Sequence, residues 1–119
     1  MFRVNDNAIA PRKAHFQHAV ARLPQAHQVA HTVATQALHG HLRSVADSEG
    51  LDTSAIVLFR HKGRLNVGID SGPNGAALMD HEFGNLDSRP NATLRNAARH
   101  AHPSLSHLYA RTLQQEIGL

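Results

Sequence analysis

Histidine is the residue type in this sequence best suited to metal binding or proton transfer, and eleven of the 119 residues are histidine. His27 and His31 are four residues apart, a spacing that places two imidazoles on one face of a helix and occurs in zinc sites. Gln28, rather than glutamate, follows His27, so the pattern differs from that of a zinc-protease helix. Further pairs at residues 39–41 and 100–102 have no carboxylate close by. Because so many histidines form such pairs by chance, histidine-based metal binding is an alternative interpretation, and the main one predicts no metal or other cofactor.

A second group with chemical potential is the run Asp80-His81-Glu82, which contains an acid, an imidazole and a second acid. Adjacent residues point in different directions on a helix or a strand, so we do not expect these side chains to converge. The sequence contains no Gly-x-Ser-x-Gly motif, and the segment 71–75 matches no phosphate-binding loop. We therefore expect a protein that is not an enzyme.

Small nucleic-acid-binding proteins are the other alternative. Proteins that bind single strands stack bases on aromatic side chains placed among basic residues, but this sequence has only four Phe, one Tyr and no Trp. A helix-turn-helix over residues 92–115 is conceivable, although Pro103 does not substitute for its characteristic turn. Dedicated nucleic-acid binders also concentrate their positive charge on one patch, whereas the cations here are spread along the chain.

The charges form three blocks along the sequence. Residues 1–46 contain five basic residues and one acidic residue (net +4), and residues 47–88 contain three basic and seven acidic residues (net −4). Residues 89–119 contain four basic residues and one acidic residue (net +3). Basic ends that flank an acidic middle could pair neighbouring copies of the chain, or could simply solvate separate surfaces.

The length of 119 residues predicts a single domain over residues 1–119. Cysteine is absent, which excludes disulfide frameworks, thiolate metal sites and cysteine nucleophiles. No apolar run approaches the roughly 20 residues that a membrane helix needs, and the N-terminus has no apolar segment typical of a secretory signal. We expect a soluble protein of a reducing compartment that does not contact a membrane.

Hydrophobic spacing predicts helices in the first part of the chain. Residues 1–10 have no period and are expected to form a flexible arm. A short helix is predicted over Pro11–Leu23, with an interruption at Pro24. A long amphipathic helix is then predicted over Gln25–Asp47, where the apolar residues recur at helical spacing.

In the middle of the chain, the spacing of apolar residues changes from helical to a period of two. Ser54–His61 and Arg64–Asp70 are predicted strands, and Lys62-Gly63 between them fits a tight hairpin turn. Ala76–Phe83 is ambiguous between a helix and a short strand, and segments 71–75 and 84–91 are predicted loops.

The final segment, Ala92–Ile117, reads as helix broken once at His102-Pro103, with Ser104 as the N-cap of the last piece. Phe59 and Phe83 are expected in the core. The predicted fold class is α+β: a long amphipathic helix and a C-terminal helix pack on a small antiparallel sheet that contains the hairpin. A sheet this small has an open edge, which a partner subunit could cover.

The order of features from residue 78 to residue 117 resembles a known family. A short apolar element leads into Glu82-Phe83-Gly84, a loop with Pro90 follows, and Leu94-Arg95 begins a long terminal helix. This order resembles the tail-completion (head–tail joining) neck proteins of long-tailed double-stranded DNA phages. The sequence departs from that family at Ala76-Ala77 and at Thr93, where an aromatic residue is common.

The resemblance implies a non-enzymatic virion protein at the head–tail junction, assembled in the cytoplasm of the bacterial host. It implies a ring, most simply of six copies, that completes or terminates the tail and contacts head-completion and tail-tube proteins. Such a ring leaves a channel through which double-stranded DNA passes.

The motif residues have physical roles that can be predicted. Phe83 is expected to anchor the loop in the core, Gly84 to reverse the chain, and Glu82 to accept hydrogen bonds from loop amides, Arg89 or Arg95. The acidic residues of the middle block are expected to meet basic helices of a neighbour or to line the channel. The residues assigned to the motif or to assembly are Asp80, Glu82, Phe83, Gly84, Arg89, Leu94 and Arg95, and Asp87 belongs to the same acidic block.

Overall fold

The computed structural model describes residues 6–118, with the side chains of residue 14 and of residues 17–118. Two long helices, one short helix and a β-hairpin make up this part of the chain. In chain order the elements are α1 (Asp6–Ser48), a 3-10 turn (Thr53–Ala55), β1 (Ile56–His61), β2 (Arg64–Ile69), α2 (Pro73–Phe83) and α3 (Thr93–Ile117). The predicted α+β class, with long helices packed on an antiparallel hairpin, is confirmed.

Helix α1 is longer than the sequence predicts. It already includes residues 6–10, which were assigned to a flexible arm, and residues 1–5 lie outside the described part of the chain. The interruption predicted at Pro24 is wrong, because α1 continues through it. Pro24 lies on the exposed side of α1, where water is available to the carbonyl of Val20 that loses its amide partner. Packing of α1 on α3 offsets the remaining local cost.

Helix α3 is also unbroken. The break predicted at His102-Pro103 and the N-cap predicted at Ser104 are both wrong, because Pro103 lies inside a continuous helix. As at Pro24, the proline side chain is on the exposed face, so the helix loses one hydrogen bond where solvent can replace it. The predicted end of the helix at Ile117 is correct.

Helices α1 and α3 run antiparallel. Ile117, at the end of α3, packs against Ala19 and Ala26 in the first half of α1. Leu94, at the start of α3, belongs to the same buried cluster as Leu42 near the end of α1. Alanines along the contact let the two helix axes approach closely. Within residues 6–118, no helix combines the length and the apolar composition needed to cross a bilayer.

The hairpin follows the prediction closely. Strands β1 and β2 pair antiparallel in a register that places Ile56 opposite Ile69. Lys62 and Gly63 form the two-residue turn with positive φ angles of 51° and 76°. Two consecutive left-handed residues match the twist of the strands, and glycine adopts such a φ without steric cost.

Two histidines of α1 attach the helix to opposite edges of the hairpin. In an antiparallel pair, alternate residues direct their backbone groups away from the partner strand, and Leu65 of β2 and Ile56 of β1 are such residues. The Nε2–H of His31 donates to the carbonyl of Leu65 (3.0 Å), and that of His39 donates to the carbonyl of Ile56 (2.9 Å). Helix α1 therefore crosses the hairpin from the outer edge of one strand to the outer edge of the other.

The segment whose secondary structure was ambiguous, Ala76–Phe83, is helical. Helix α2 begins at Pro73, so the second half of the predicted loop 71–75 is helical as well. Proline is well suited to the first helical position. Gly75 packs directly on the backbone, since a Cβ there would lie 1.4 Å from the carbonyl oxygen of Asp70. Only glycine permits this approach.

The core is aliphatic, and the two phenylalanines predicted in it lie at the surface. Phe59 is 45 % exposed and Phe83 is 51 % exposed. The ring of Phe59 lies over Gly68 on the outer face of the hairpin, and that of Phe83 lies under a guanidinium. The main buried cluster, formed by α1, the hairpin base, α2 and α3, contains Leu42, Ala46, Ala55, Ile56, Leu78, Leu94 and Ala97.

Candidate functional site

Five of the seven motif residues come together where α2 ends and α3 begins. We call this region the α2–α3 joint and define it by Glu82, Phe83, Gly84, Leu94 and Arg95. The residues come from two helices separated by a nine-residue connection. The geometry of this joint shows what each of these five side chains contacts.

Glu82 caps α3 from the neighbouring helix. It is only 1 % exposed and follows Leu78 by one helical turn, so both side chains face the core. Its carboxylate accepts the backbone amide hydrogens of Leu94 and, at 3.4 Å, of Arg95. The N-cap residue of α3 is Ala92, which offers no side-chain acceptor. The carboxylate supplies this missing cap and its negative charge opposes the positive end of the helix dipole.

Arg95 joins the two helices from the other side. Its Nε donates to Oε2 of Glu82 at 3.1 Å, and its Nη2 donates to the backbone carbonyl of Glu82 at 2.6 Å. The guanidinium carbon lies 4.3 Å from the ring centroid of Phe83. One cation thus neutralises the buried carboxylate, satisfies a carbonyl in the last turn of α2 and covers an aromatic face. The predicted hydrogen bond between Arg95 and Glu82 is confirmed, and the amides that Glu82 accepts belong to the first turn of α3 rather than to the loop.

Gly84 reverses the chain as predicted. Its φ is 76°, and its amide donates to the carbonyl of Asp80 at 2.8 Å, which ends α2. A Cβ at this position would lie 2.7 Å from the backbone nitrogen of Pro90 and 2.9 Å from the carbonyl oxygen of Ser88. Both the backbone angle and the close return of the loop therefore require glycine.

The loop after Gly84 is held by its own hydrogen bonds, in agreement with the loop predicted over residues 84–91. Oδ1 of Asn85 accepts the amides of Asp87 and Ser88 at 2.8 and 2.9 Å. The amide of Asn91 donates to the carbonyl of His81 at 2.8 Å and brings the chain back to α2. These hydrogen bonds connect the exposed loop within itself and to the end of α2.

The acid–imidazole–acid run does not converge. Asp80 is exposed, and His81 is hydrogen-bonded through Nε2 to the hydroxyl of Thr93 at 3.2 Å. The oxygens of Glu82 are occupied by amides and by Arg95. Arg89, the remaining motif residue, is exposed and has no hydrogen bond or ion pair among the described residues. The side chains of this run therefore do not form a shared acid–base site.

A cleft of about 400 Å³ lies elsewhere, between the first half of α1, the hairpin turn and α3. His27 and His31 lie on this side of α1 as predicted, and Arg64 and Tyr109 complete the polar part of the lining. Nδ1 of His27 is hydrogen-bonded to the hydroxyl of Tyr109. Among the described residues, no three metal-ligating side chains are grouped together. Sequence spacing could not reveal Arg64 and Tyr109 as neighbours of the histidine pair, because tertiary packing alone brings them there.

Ion pairing is sparse across residues 17–118, where Arg95–Glu82 is the single salt bridge. The hydroxyl of Ser54 and then its backbone amide donate to Asp52, and these hydrogen bonds lower the pKa of that carboxyl below its ordinary value. Asp52 also begins the 3-10 turn that leads into β1.

Comparison with known proteins adds no relative to this description. No protein-family model matches the chain, and no curated protein and no solved structure matches it.

Proposed function

We propose that this chain is a structural protein of the neck of a long-tailed double-stranded DNA phage, where copies form a ring that completes the tail and joins it to the head. The observation that carries the proposal is the α2–α3 joint. The Glu-Phe-Gly step, the proline-bearing loop and the Leu-Arg step on which the resemblance rests form one hydrogen-bonded unit, with Glu82 and Arg95 at its centre.

The α2–α3 joint is suited to a subunit that transmits mechanical force. It fixes the angle between α2 and α3 through a capped helix N-terminus, a bonded helix C-terminus and a stiff loop. A ring subunit that transmits force between a head and a tail needs such fixed angles, because neighbouring contacts close only when each subunit repeats the same geometry.

The hairpin provides a surface for a neighbour. The sheet has two strands, and β1 is exposed from Leu58 to its end at His61. On this edge the backbone groups of Leu58 and Arg60 point outward by the alternation of the ladder. An exposed edge strand of this kind pairs readily with another chain.

Histidine-based metal binding has less support than the neck assignment. Nε2 of His31 and Nε2 of His39 act as hydrogen-bond donors to strand carbonyls, which gives these histidines a structural role. DNA binding by the basic residues is the second alternative, and it is distinguished below by its response to free DNA.

The decisive experiment deletes the coding sequence in the phage that encodes the chain. We expect filled heads and finished tails to accumulate unjoined, and complementation with the wild-type chain to restore complete virions seen by electron microscopy. Complementation with Glu82→Ala should fail, whereas Gln115→Ala, a change at an exposed position of α3 outside the motif, should succeed. Normal virions without the chain would refute the neck assignment.

A further inference from the structure

The tip of the hairpin is strongly basic. Arg60, His61, Lys62 and Arg64 surround the turn, and all four side chains are exposed. No acidic residue occurs between Thr53 and Ile69. We call Arg60, Lys62 and Arg64 the basic tip. The cleft described above opens beside it, shares Arg64 with it, and has no carboxylate in its lining.

The opposite end of the hairpin is acidic. Asp47, Glu49 and Asp52 lie where α1 ends and the chain enters β1, and Asp70 directly follows β2. All four carboxylates are exposed. The amide of Asp70 donates to the carbonyl of Ala55 at 2.8 Å, which keeps that residue at the base of the hairpin. We call these four carboxylates the acidic end.

Neither set of charges has an oppositely charged partner within the described chain. No member of the basic tip or the acidic end forms an ion pair among the residues described. The position of Asp47 is also unfavourable for an isolated subunit, because it lies in the last turn of α1, which contains no basic residue. A carboxylate there faces the negative end of the helix dipole, where a cation would be stabilising.

A single copy cannot bring its two charged ends together. Six strand residues separate the tip from the base, which corresponds to about 20 Å at the usual rise per residue. The two surfaces do not overlap, and their charges are opposite in sign and similar in number. Contacts between different surfaces of identical chains are heterologous, and they generate rings or filaments.

We propose that the basic tip and adjoining cleft of one copy bind the acidic end of the next copy. The inference rests on the proposed function, because it names the contact by which the ring would close. It also commits the cleft to one occupant, the carboxylates of a second copy, on the basis of charge complementarity.

A second copy explains the observations better than nucleic acid does. Phosphate binding would account for the basic tip but would leave the carboxylates at the other end without a partner. Only self-association uses both charged ends at once.

Charge reversal tests the contact directly. Arg60→Glu with Arg64→Glu reverses the tip, and Asp47→Lys with Glu49→Lys reverses the acidic end, so each variant alone places like charges in the contact. In sedimentation velocity at increasing protein concentration, we expect each variant to associate with a Kd roughly tenfold or more above that of the wild type. A mixture of the two variants should regain association, because each reversed surface then meets its complement on the other chain.

A matched control separates this contact from net charge. Arg99→Glu with Arg111→Glu produces the same change in charge at exposed positions of α3, and it should leave association unchanged. Circular dichroism of every variant verifies that it folds. Association that the control weakens as much as the tip variant does, or that mixing fails to restore, would overturn the proposal.

A zero-length carbodiimide cross-link gives a second readout. Lys62 is the only lysine in residues 14–119, and it lies at the turn, about 20 Å of strand away from the hairpin base beside which Asp47 and Glu49 lie. Mass spectrometry of mixed isotope-labelled protein should find Lys62 joined to these residues between copies, and excess duplex DNA should not abolish the cross-link. Loss of the cross-link to DNA would favour nucleic acid as the ligand. Absence of the cross-link and of association while deletion still blocks head–tail joining would refute this contact and leave the neck function standing.

Discussion

Arg95 contacts Glu82 at two points, at its carboxylate and at its backbone carbonyl, and so ties the side chain and the main chain of one residue to the first turn of another helix. The carboxylate is buried, whereas 47 % of the Arg95 side chain is exposed. The pair therefore lies at the boundary between the core and the solvent. The stabilising effect of this pair comes largely from the hydrogen bonds that the same carboxylate accepts from backbone amides of α3.

The first prediction concerns Glu82. Removing its carboxylate with Glu82→Ala leaves buried amides of α3 and one side of Arg95 without acceptors, so we expect the free energy of unfolding to fall by about 3 kcal/mol or more. Glu82→Gln keeps the shape of the side chain but not its charge, so the free energy of unfolding should fall less. Urea unfolding measures this free energy for both variants. Asp80→Asn is the control and should change stability by no more than about 0.5 kcal/mol. Equal effects at the two positions would contradict the capping role.

The second prediction separates backbone strain from crowding at Gly84. Gly118 has nearly the same φ, 75° against 76°, but a Cβ there meets nothing within 4 Å. Gly118→Ala should therefore cost only about 1 kcal/mol, the penalty for a left-handed residue with a Cβ. Gly84→Ala adds a clash with Pro90 and should cost at least twice as much in thermal or urea unfolding. If the two variants lost similar amounts of stability, the loop would move away from residue 84 easily.

The third prediction concerns the contact of α2 with the hairpin base. Gly75→Ala would drive a Cβ into the carbonyl of Asp70, so α2 must shift and stability should fall by about 2 kcal/mol or more. Gly40, in the middle of α1, has open space around it. Gly40→Ala should instead stabilise the protein by up to about 1 kcal/mol through helix propensity. Calorimetry should therefore show a loss of stability for Gly75→Ala and a gain for Gly40→Ala. A stabilising Gly75→Ala would contradict the packing described.

The fourth prediction concerns Pro103. Alanine at this position restores an amide donor to α3 and removes the steric conflict with the preceding turn, while the exposed site loses no core contact. We expect Pro103→Ala to raise the free energy of unfolding by up to about 3 kcal/mol. Ser104→Ala serves as control and should have little effect, because Ser104 does not cap a helix here. A destabilising Pro103→Ala would mean that the proline makes a contact that supports the fold.

The fifth prediction concerns pH. The pKa of Asp52 is lowered in the folded chain by hydrogen bonds from Ser54, so the stability that this carboxylate contributes is present at neutral pH and is lost as pH falls through the folded pKa. In a titration followed by nuclear magnetic resonance, Ser54→Ala should raise the pKa of Asp52 towards its ordinary value. The backbone amide of residue 54 still donates, so part of the lowering should remain. Ser48→Ala, whose hydroxyl bonds to Val45, should leave the pKa of Asp52 unchanged.

The hairpin and the chain reversal at Gly84 could be predicted because their signals are local. Alternation in β2 and the Lys62-Gly63 turn define the strands without reference to the rest of the chain. The reversal at Gly84 could be predicted because a glycine opens a loop there. The capping of α3 by Glu82 could not, because it joins residues twelve positions apart, and the loop amides expected as its donors proved to be amides of α3.

The errors arose where distant contacts override local preference. Pro24 and Pro103 are helix breakers by propensity, but the antiparallel packing of α1 on α3 keeps both helices continuous. Phe59 and Phe83 are core residues by hydropathy, yet both rings lie at the surface. That of Phe59 lies over Gly68, which has no side chain, and that of Phe83 packs against the guanidinium of Arg95. Such contacts cannot be inferred from spacing along one sequence.

The attachment of α1 to both edges of the hairpin restricts how this sequence can change. His31 and His39 are eight residues apart, about 12 Å along the helix, and each must face its own carbonyl. Inserting or deleting one residue between them would turn one imidazole by about 100° around the helix axis and detach one strand. Homologous chains should therefore vary in length outside residues 31–39 and keep the number of residues in this interval constant, because the distance between the two imidazoles must match the distance between the two carbonyls.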